Sequence, residues 1–156
     1  MRQQLYTIHQ NFEVFDAGGT KIMSAHGNGL RVMDKIELRD TAGEAVLELR
    51  ERPGRRPHVD VVSNGKKLLS IGERRVGLRD HFVIDTPLPA DFEIRGNAWS
   101  TNYEIAINGG VAAHVWMEPG LVKADTYHVI IGEGRAPRIL FGLILATDIL
   151  THKGKR

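Results

Sequence analysis

Few residues in this chain are of a type and spacing that could do chemistry, and most of them are basic. "ERPGRRP" places Arg52, Arg55 and Arg56 in one short stretch that also holds Pro53, Gly54 and Pro57. Lys66 and Lys67 follow the tripeptide "SNG", and the pair Arg74-Arg75 comes soon after. The planar fork of arginine matches phosphate and carboxylate oxygens. A loop also lets several side chains converge, whereas neighbours on a strand point to opposite faces. The chemistry this set implies is capture of an anion, with a lipid headgroup or another polyanion as the ligand class. A solvated loop that keeps nearby strand edges unattractive explains the same charges without a ligand. Lys153, Lys155 and Arg156 add a basic tail over residues 151–156.

Other reactive patterns are weaker. His58-x-Asp60 puts two metal-ligand types on one strand face, and His114 shares a face with Trp116. Closed metal sites use three or four ligands, and no third has a recognisable spacing, so no metal and no cofactor are expected. Asp80-His81 with Ser70 or Ser100 supplies the parts of an acyl-transfer site, but the sequence has no Gly-x-Ser-x-Gly elbow. "VIIGEGRAPRILFG" runs a strand into Gly132-x-Gly134 and then a helix, the context of a dinucleotide loop. Its third glycine position is Pro137, so the simpler reading is a turn followed by a proline-started helix. Cysteine is absent, which excludes disulfides, zinc–thiolate sites and thiol catalysis. No catalytic residue is expected. Trp99, Tyr103, Trp116 and Tyr127 are expected to pack inside, as large aromatics do by default.

The elements that must hold these residues are mostly strands. "FEVFDAGGTKIM", "IELRDTAGEAVLEL", "HVDVVSNGKKLLSI" and "YEIAINGGVAAHVW" each join two β-rich runs through Asp or Asn plus Gly, the strongest short-range hairpin signal. Further strands are expected at 5–9, 29–33, 82–85, 92–95 and 126–131, for ten to twelve in all. A two-residue turn at Asn64-Gly65 would pair Ser63 with Lys66, Val61 with Leu68 and Val59 with Ser70. That register turns Val59, Val61 and Leu68 inward and leaves His58, Asp60, Val62, Lys67 and Leu69 on the other face. Residues 1–156 read as one domain, because "ERPGRRP" and "DTPLPADF" are loops rather than linkers.

The net charge of +2, from 21 Lys plus Arg against 19 Asp plus Glu, is too balanced for a nucleic-acid binder. Nothing at the N-terminus has the form of a secretion signal, so a cytoplasmic protein is expected. The apolar run Ile139–Leu150 poses the remaining question of a membrane anchor or a core plug. As a helix it reaches roughly 18 Å against about 30 Å of hydrocarbon, and it contains Thr147 and Asp148. It has no polar face, so it must be surrounded by protein. No transmembrane segment is expected, and the chain should be a soluble monomer or weak oligomer.

Strands followed by one wholly apolar helix is an unusual order. A helix of that length could thread a barrel of short strands as its core. The segments "FEVFDAGG", "ELRDTAGEAVLEL", "FEIRGNAWSTNYEI", "GGVAAHVWME", "DTYHVII" and "ILFGLILATDIL" resemble the LURP-one-related family, bacterial members included. That family is similar in fold to the tubby C-terminal domain and the phospholipid scramblases. The resemblance implies a mainly β fold, a closed antiparallel barrel of about twelve strands around a central C-terminal helix. It implies no established catalytic residues, and relatives that engage anionic membrane lipids. "ERPGRRP" has no place in the family pattern. The expectation is a non-enzymatic binding or scaffold module, cytoplasmic and peripheral to a membrane, with Arg52, Arg55, Arg56, Lys66, Lys67, Arg74 and Arg75 as the anion-binding residues. The alternative is a small-molecule enzyme with a surface-cleft site.

Overall fold

The computed structural model describes residues 3–9, 12–26, 35–52, 57–76, 79–97, 102–118, 126–132 and 134–153. The expected strand at 29–33, together with Arg55, Arg56, Trp99, Ser100, Lys155 and Arg156, lies outside them.

Twelve strands and one helix make up the described chain. The first half contains β1 (Gln3–His9), β2 (Glu13–Phe15), β3 (Lys21–His26), β4 (Lys35–Asp40), β5 (Ala45–Arg52) and β6 (His58–Ser63). Then come β7 (Lys66–Val76), β8 (Arg79–Asp85), β9 (Phe92–Asn97), β10 (Asn102–Ile107), β11 (Gly110–Glu118), β12 (Thr126–Gly132) and the helix α1 (Pro137–Lys153). The strands form one antiparallel sheet ordered β8-β7-β6-β5-β4-β3-β2-β1-β12-β11-β10-β9.

All four expected hairpins form, and their turns follow from side-chain chemistry. Asp16 Oδ1 accepts the N–H groups of Gly18 and Thr20, and Asp40 Oδ1 accepts those of Ala42 and Glu44, all at 2.9–3.0 Å. The other two turns are Asn-Gly, with φ of 51° and 74° at Asn64-Gly65 and 52° and 84° at Asn108-Gly109. Two successive positive φ angles give the tight turn whose twist matches the flanking strands.

Every one of these hairpins also carries an extra residue on its second strand. Phe15 faces Lys21 while Val14 faces Met23, which leaves Ile22 over. Val46, Leu68 and Ala112 are left over in the same way. Such bulges bend a strand and increase its twist, and four of them help curl one sheet around a helix. The bulge at Leu68 corrects the expected register. Val61 faces Leu69 and Val59 faces Ile71, so Leu69 and Ile71 are the fully buried residues, both at 0% exposure. An unbulged pairing would have turned Ser70 into the core and a leucine and an isoleucine out of it.

The barrel is nearly closed rather than closed. Among the described residues no ladder joins β8 to β9, although the two strands lie side by side. The loop between them contains Pro87 and Pro89, which suit an extended crossing and not a two-residue turn. It is tied to both flanks instead. Thr86 Oγ1 donates to the Leu68 carbonyl at 2.7 Å, and the Asp91 N–H donates to Asn108 Oδ1 at 2.8 Å.

The helix is the plug. Its 17 residues reach roughly 25 Å, longer than the apolar run alone because Pro137 starts it early and Thr151–Lys153 continue it. Leu140, Leu143, Ile144, Leu145 and Ala146 are fully buried, and Ile149 is partly so. α1 packs on β5, β6 and β7, and Phe141 meets the Tyr6 ring edge-on at 4.9 Å. At Gly142 the helix comes so close to the wall that a Cβ there would lie 2.7 Å from Val61 Cγ1. Among the described residues no helix is long and apolar enough to cross a membrane.

Candidate functional site

The lumen is occupied by α1 and the side chains packed on it, and its polar groups are tied to one another. Thr147 Oγ1 donates to the Leu143 carbonyl at 2.7 Å, and Thr151 Oγ1 to the Asp148 carbonyl at 3.1 Å. The Tyr127 phenol donates to Asp148 Oδ1, fastening the helix to β12. Burial pushes the Tyr103 phenol well up from its ordinary range, and the charge of Asp148 adds to the effect. Functional groups therefore have to be sought on the outer wall.

There the bulged register of β6–β7 puts Asp60 opposite Ser70, and the β5–β6 ladder puts Arg52 opposite His58. Asp60 is 7% exposed, and its carboxylate gathers the neighbouring groups. Ser70 Oγ donates to Oδ1 at 2.5 Å, Arg52 Nε donates to Oδ2 at 3.2 Å, and His58 Nε2 lies 3.7 Å from Oδ1. Burial pushes this carboxyl up, but the bonds from Ser70 and Arg52 and the nearby charges of Lys67 and His58 outweigh it. The net result is a pKa below the usual carboxylate range.

The consequence is a positioned cation. Among the described residues only Asp60 bonds the Arg52 guanidinium, through Nε, and the side chain is 50% exposed. Its two terminal nitrogens remain for a ligand. Cations on the adjoining wall differ, because Lys35 and Arg50 both lie on Glu48 at 2.6 and 2.8 Å. The same geometry argues against nucleophilic chemistry at Ser70. A hydrolase triad needs the imidazole between hydroxyl and carboxylate, whereas here the carboxylate sits between hydroxyl and imidazole.

Of the expected anion-binding residues, Arg52 lies in this cluster and Lys67 is near enough to act on Asp60. Arg74 and Arg75 continue β7 past Gly72, which faces His58, so their backbone lies at the Arg52 end of the sheet. Lys66 does not join them. It faces Ser63 at the opposite end of β6, roughly 17 Å away at about 3.3 Å per residue. Asp80 and His81 face Arg75 and Arg74, while Ser70 faces Asp85 further along the ladder, so these three do not assemble. Gly132 and Gly134 form the expected turn, with φ of 80° at Gly134 and the Arg135 N–H donating to the Gly132 carbonyl at 3.3 Å.

Tyr103 and Tyr127 are interior, but Trp116 is not. Val115 and Ala113 take the inward positions of β11, so Trp116 stands on the outer wall between His128, stacked at 5.5 Å, and His114, edge-on at 5.6 Å. His114 Nε2 is 2.6 Å from Asn102 Oδ1. Among the described residues no group of three His, Asp or Glu side chains is arranged to hold a metal.

The Asp60–Ser70 pair is the feature that sequence reasoning missed. Its signal was present in "LLSI", where Leu69 and Ile71 alternate around Ser70.

Comparison with known proteins agrees with this architecture. A model of the LURP-one-related family matches residues 1–148. The X-ray structure of a protein from Arabidopsis thaliana is similar with a TM-score of 0.65 at 15% identity, covering 95% of this chain and 90% of that one. No curated protein matches the sequence. With nearly its whole length matched by the family model, and a twelve-stranded, nearly closed barrel around one C-terminal helix, the chain belongs to the LURP-one-related family.

Proposed function

We propose that this protein is a non-catalytic binding module, peripheral to a cytoplasmic membrane surface, which takes anionic lipid headgroups on the outer wall of β5–β7. The observation that carries the reading is Arg52, held through Nε by a buried carboxylate while its side chain stays half exposed. A guanidinium fixed in this way has little side-chain freedom left to lose on meeting a phosphate. Lys67 contributes charge beside it, Arg55 and Arg56 follow Arg52 closely in the sequence, and the backbone of Arg74 and Arg75 continues β7 at the Arg52 end of the sheet. The tubby-like and scramblase-like resemblance points to the same ligand class, and the helix-filled lumen supports a ligand held outside.

Sedimentation with vesicles tests the reading. Wild type should pellet with phosphatidylserine or phosphoinositide vesicles in preference to neutral ones. At about 1 kcal/mol for each basic residue near a charged surface, the Arg52→Ala/Lys67→Ala variant should partition about thirtyfold more weakly. The preference should fade as salt shortens the screening length from about 10 Å to about 3 Å. Equal pelleting of the two proteins, or no preference for anionic vesicles at low salt, contradicts the proposal.

A further inference from the structure

The β6–β7 and β10–β11 hairpins are a matched pair. Each turns on Asn-Gly with both φ angles positive, and each carries its bulge at the same place, Leu68 in one and Ala112 in the other. Asn64 and Asn108 are both exposed. A Cβ built on Gly65 or on Gly109 would meet nothing within 4 Å, so neither glycine is crowded.

One difference separates them. Asn108 is clamped to the start of β9, because its Oδ1 accepts the Asp91 N–H at 2.8 Å and its own N–H donates to the Asp91 carbonyl at 2.8 Å. Among the described residues Asn64 has no such clamp.

We propose that Asn64 is a site of spontaneous deamidation and that Asn108 is its protected counterpart. In the reaction the Gly65 backbone nitrogen, giving its proton to solvent, bonds to Asn64 Cγ while the Cγ–Nδ2 bond breaks and ammonia leaves. Water then opens the resulting succinimide at either carbonyl, giving aspartate or isoaspartate. One water is consumed and one ammonia released, with no oxidant or reductant. The positive-φ turn does not itself aim the Gly nitrogen at Cγ, so the Asn must rotate out of the turn first. At Asn64 that rotation opens only the hairpin tip. At Asn108 it must also break two hydrogen bonds to Asp91. The product places a negative charge beside Lys66 and Lys67, and isoaspartate adds an atom to the main chain of a two-residue turn. This chemistry stands apart from the anion-binding reading.

The test is to incubate the full-length folded protein in mildly alkaline buffer and follow amide-to-acid conversion by peptide mapping with isoaspartate detection. Mapping also separates Asn28-Gly29, a third Asn-Gly pair that lies outside the described residues. Asn64 should convert about thirtyfold faster than Asn108, the factor expected from two extra hydrogen bonds of ordinary net strength. In denaturant, where the clamp is gone, the two rates should come within about twofold. Equal rates in the folded protein would overturn the proposal. So would a difference that persists unchanged in denaturant, since it would then belong to the neighbouring residues and not to the clamp.

Discussion

Asp60 and Asp148 are almost equally buried, at 7% and 8% exposure, but one belongs to the outer face of the barrel and the other to its lumen. Asp148 projects from α1 into the lumen, where the Tyr127 phenol donates to it and Tyr103 lies within reach of its charge. Asp60 projects from β6 to the outside, where Ser70 and Arg52 donate to it and His58 and Lys67 stand close. Inside, a carboxylate ties the helix to the strands. Outside, it fixes the aim of a cation and keeps that cation from swinging free. Burying a charge is costly unless its hydrogen bonds are supplied, and both sites supply them. What differs is whether the donors end there or, as with Arg52, have further nitrogens to offer.

The strongest way to break the comparison is to add a lumen carboxylate without donors. Leu143→Asp should cost at least several kcal/mol, most of the stability of a domain this size, and leave no soluble folded protein. Soluble yield and circular dichroism check it, and a well-folded variant would mean that the lumen tolerates charge in general. Gly142→Ala comes next. Its methyl would meet Val61 Cγ1, and overpacking of this kind costs about 1–3 kcal/mol in urea unfolding. Tyr127→Phe takes a donor from Asp148 and should cost about 1–3 kcal/mol by the same measurement.

A smaller contrast appears in the pH dependence of unfolding. The folded Tyr103 phenol stays protonated above the ordinary value of about 10, while the unfolded chain releases that proton. The stability it contributes is therefore present below that pH and lost as pH rises beyond it. Asp60 has the opposite sign. Its folded carboxyl titrates below the unfolded one, so its contribution is present above the unfolded value and lost as pH falls through the folded value. Tyr103→Phe should flatten only the alkaline limb of stability against pH, and Asp60→Asn only the acid limb. An effect on the wrong limb in either variant would contradict the assignment.

The sequence made the lumen far more legible than the wall. Asp-x-x-Gly and Asn-Gly turns announce hairpins because few other residues accept those backbone angles, and α1 announces itself because it has no polar face. Bulges leave no comparable mark. One residue in excess, Leu68, reverses which side chains of β7 face outward from that point on, and with it whether Ser70 meets Asp60. Trp116 is hidden for a related reason, since the inward places on its strand are taken by the smaller Ala113 and Val115. Arg52 reads in the sequence as a loop arginine of "ERPGRRP", whereas it is the last residue of β5, paired with His58. Its restraint by Asp60 depends on a partner from the neighbouring strand that no local spacing reveals.

The central claim is that ligand is met by the outer wall of β5–β7 and not by the lumen. The most direct measurement is a residue-resolved amide spectrum of the protein titrated with a soluble inositol phosphate. The amides of Arg52, His58, Asp60, Lys67 and Ser70 should shift in a saturable, salt-sensitive way, with those of Tyr103, Tyr127 and Asp148 unmoved. Shifts centred on Tyr127 and Asp148, or on Trp116 at the far side of the strand order, with β5–β7 silent, would contradict it.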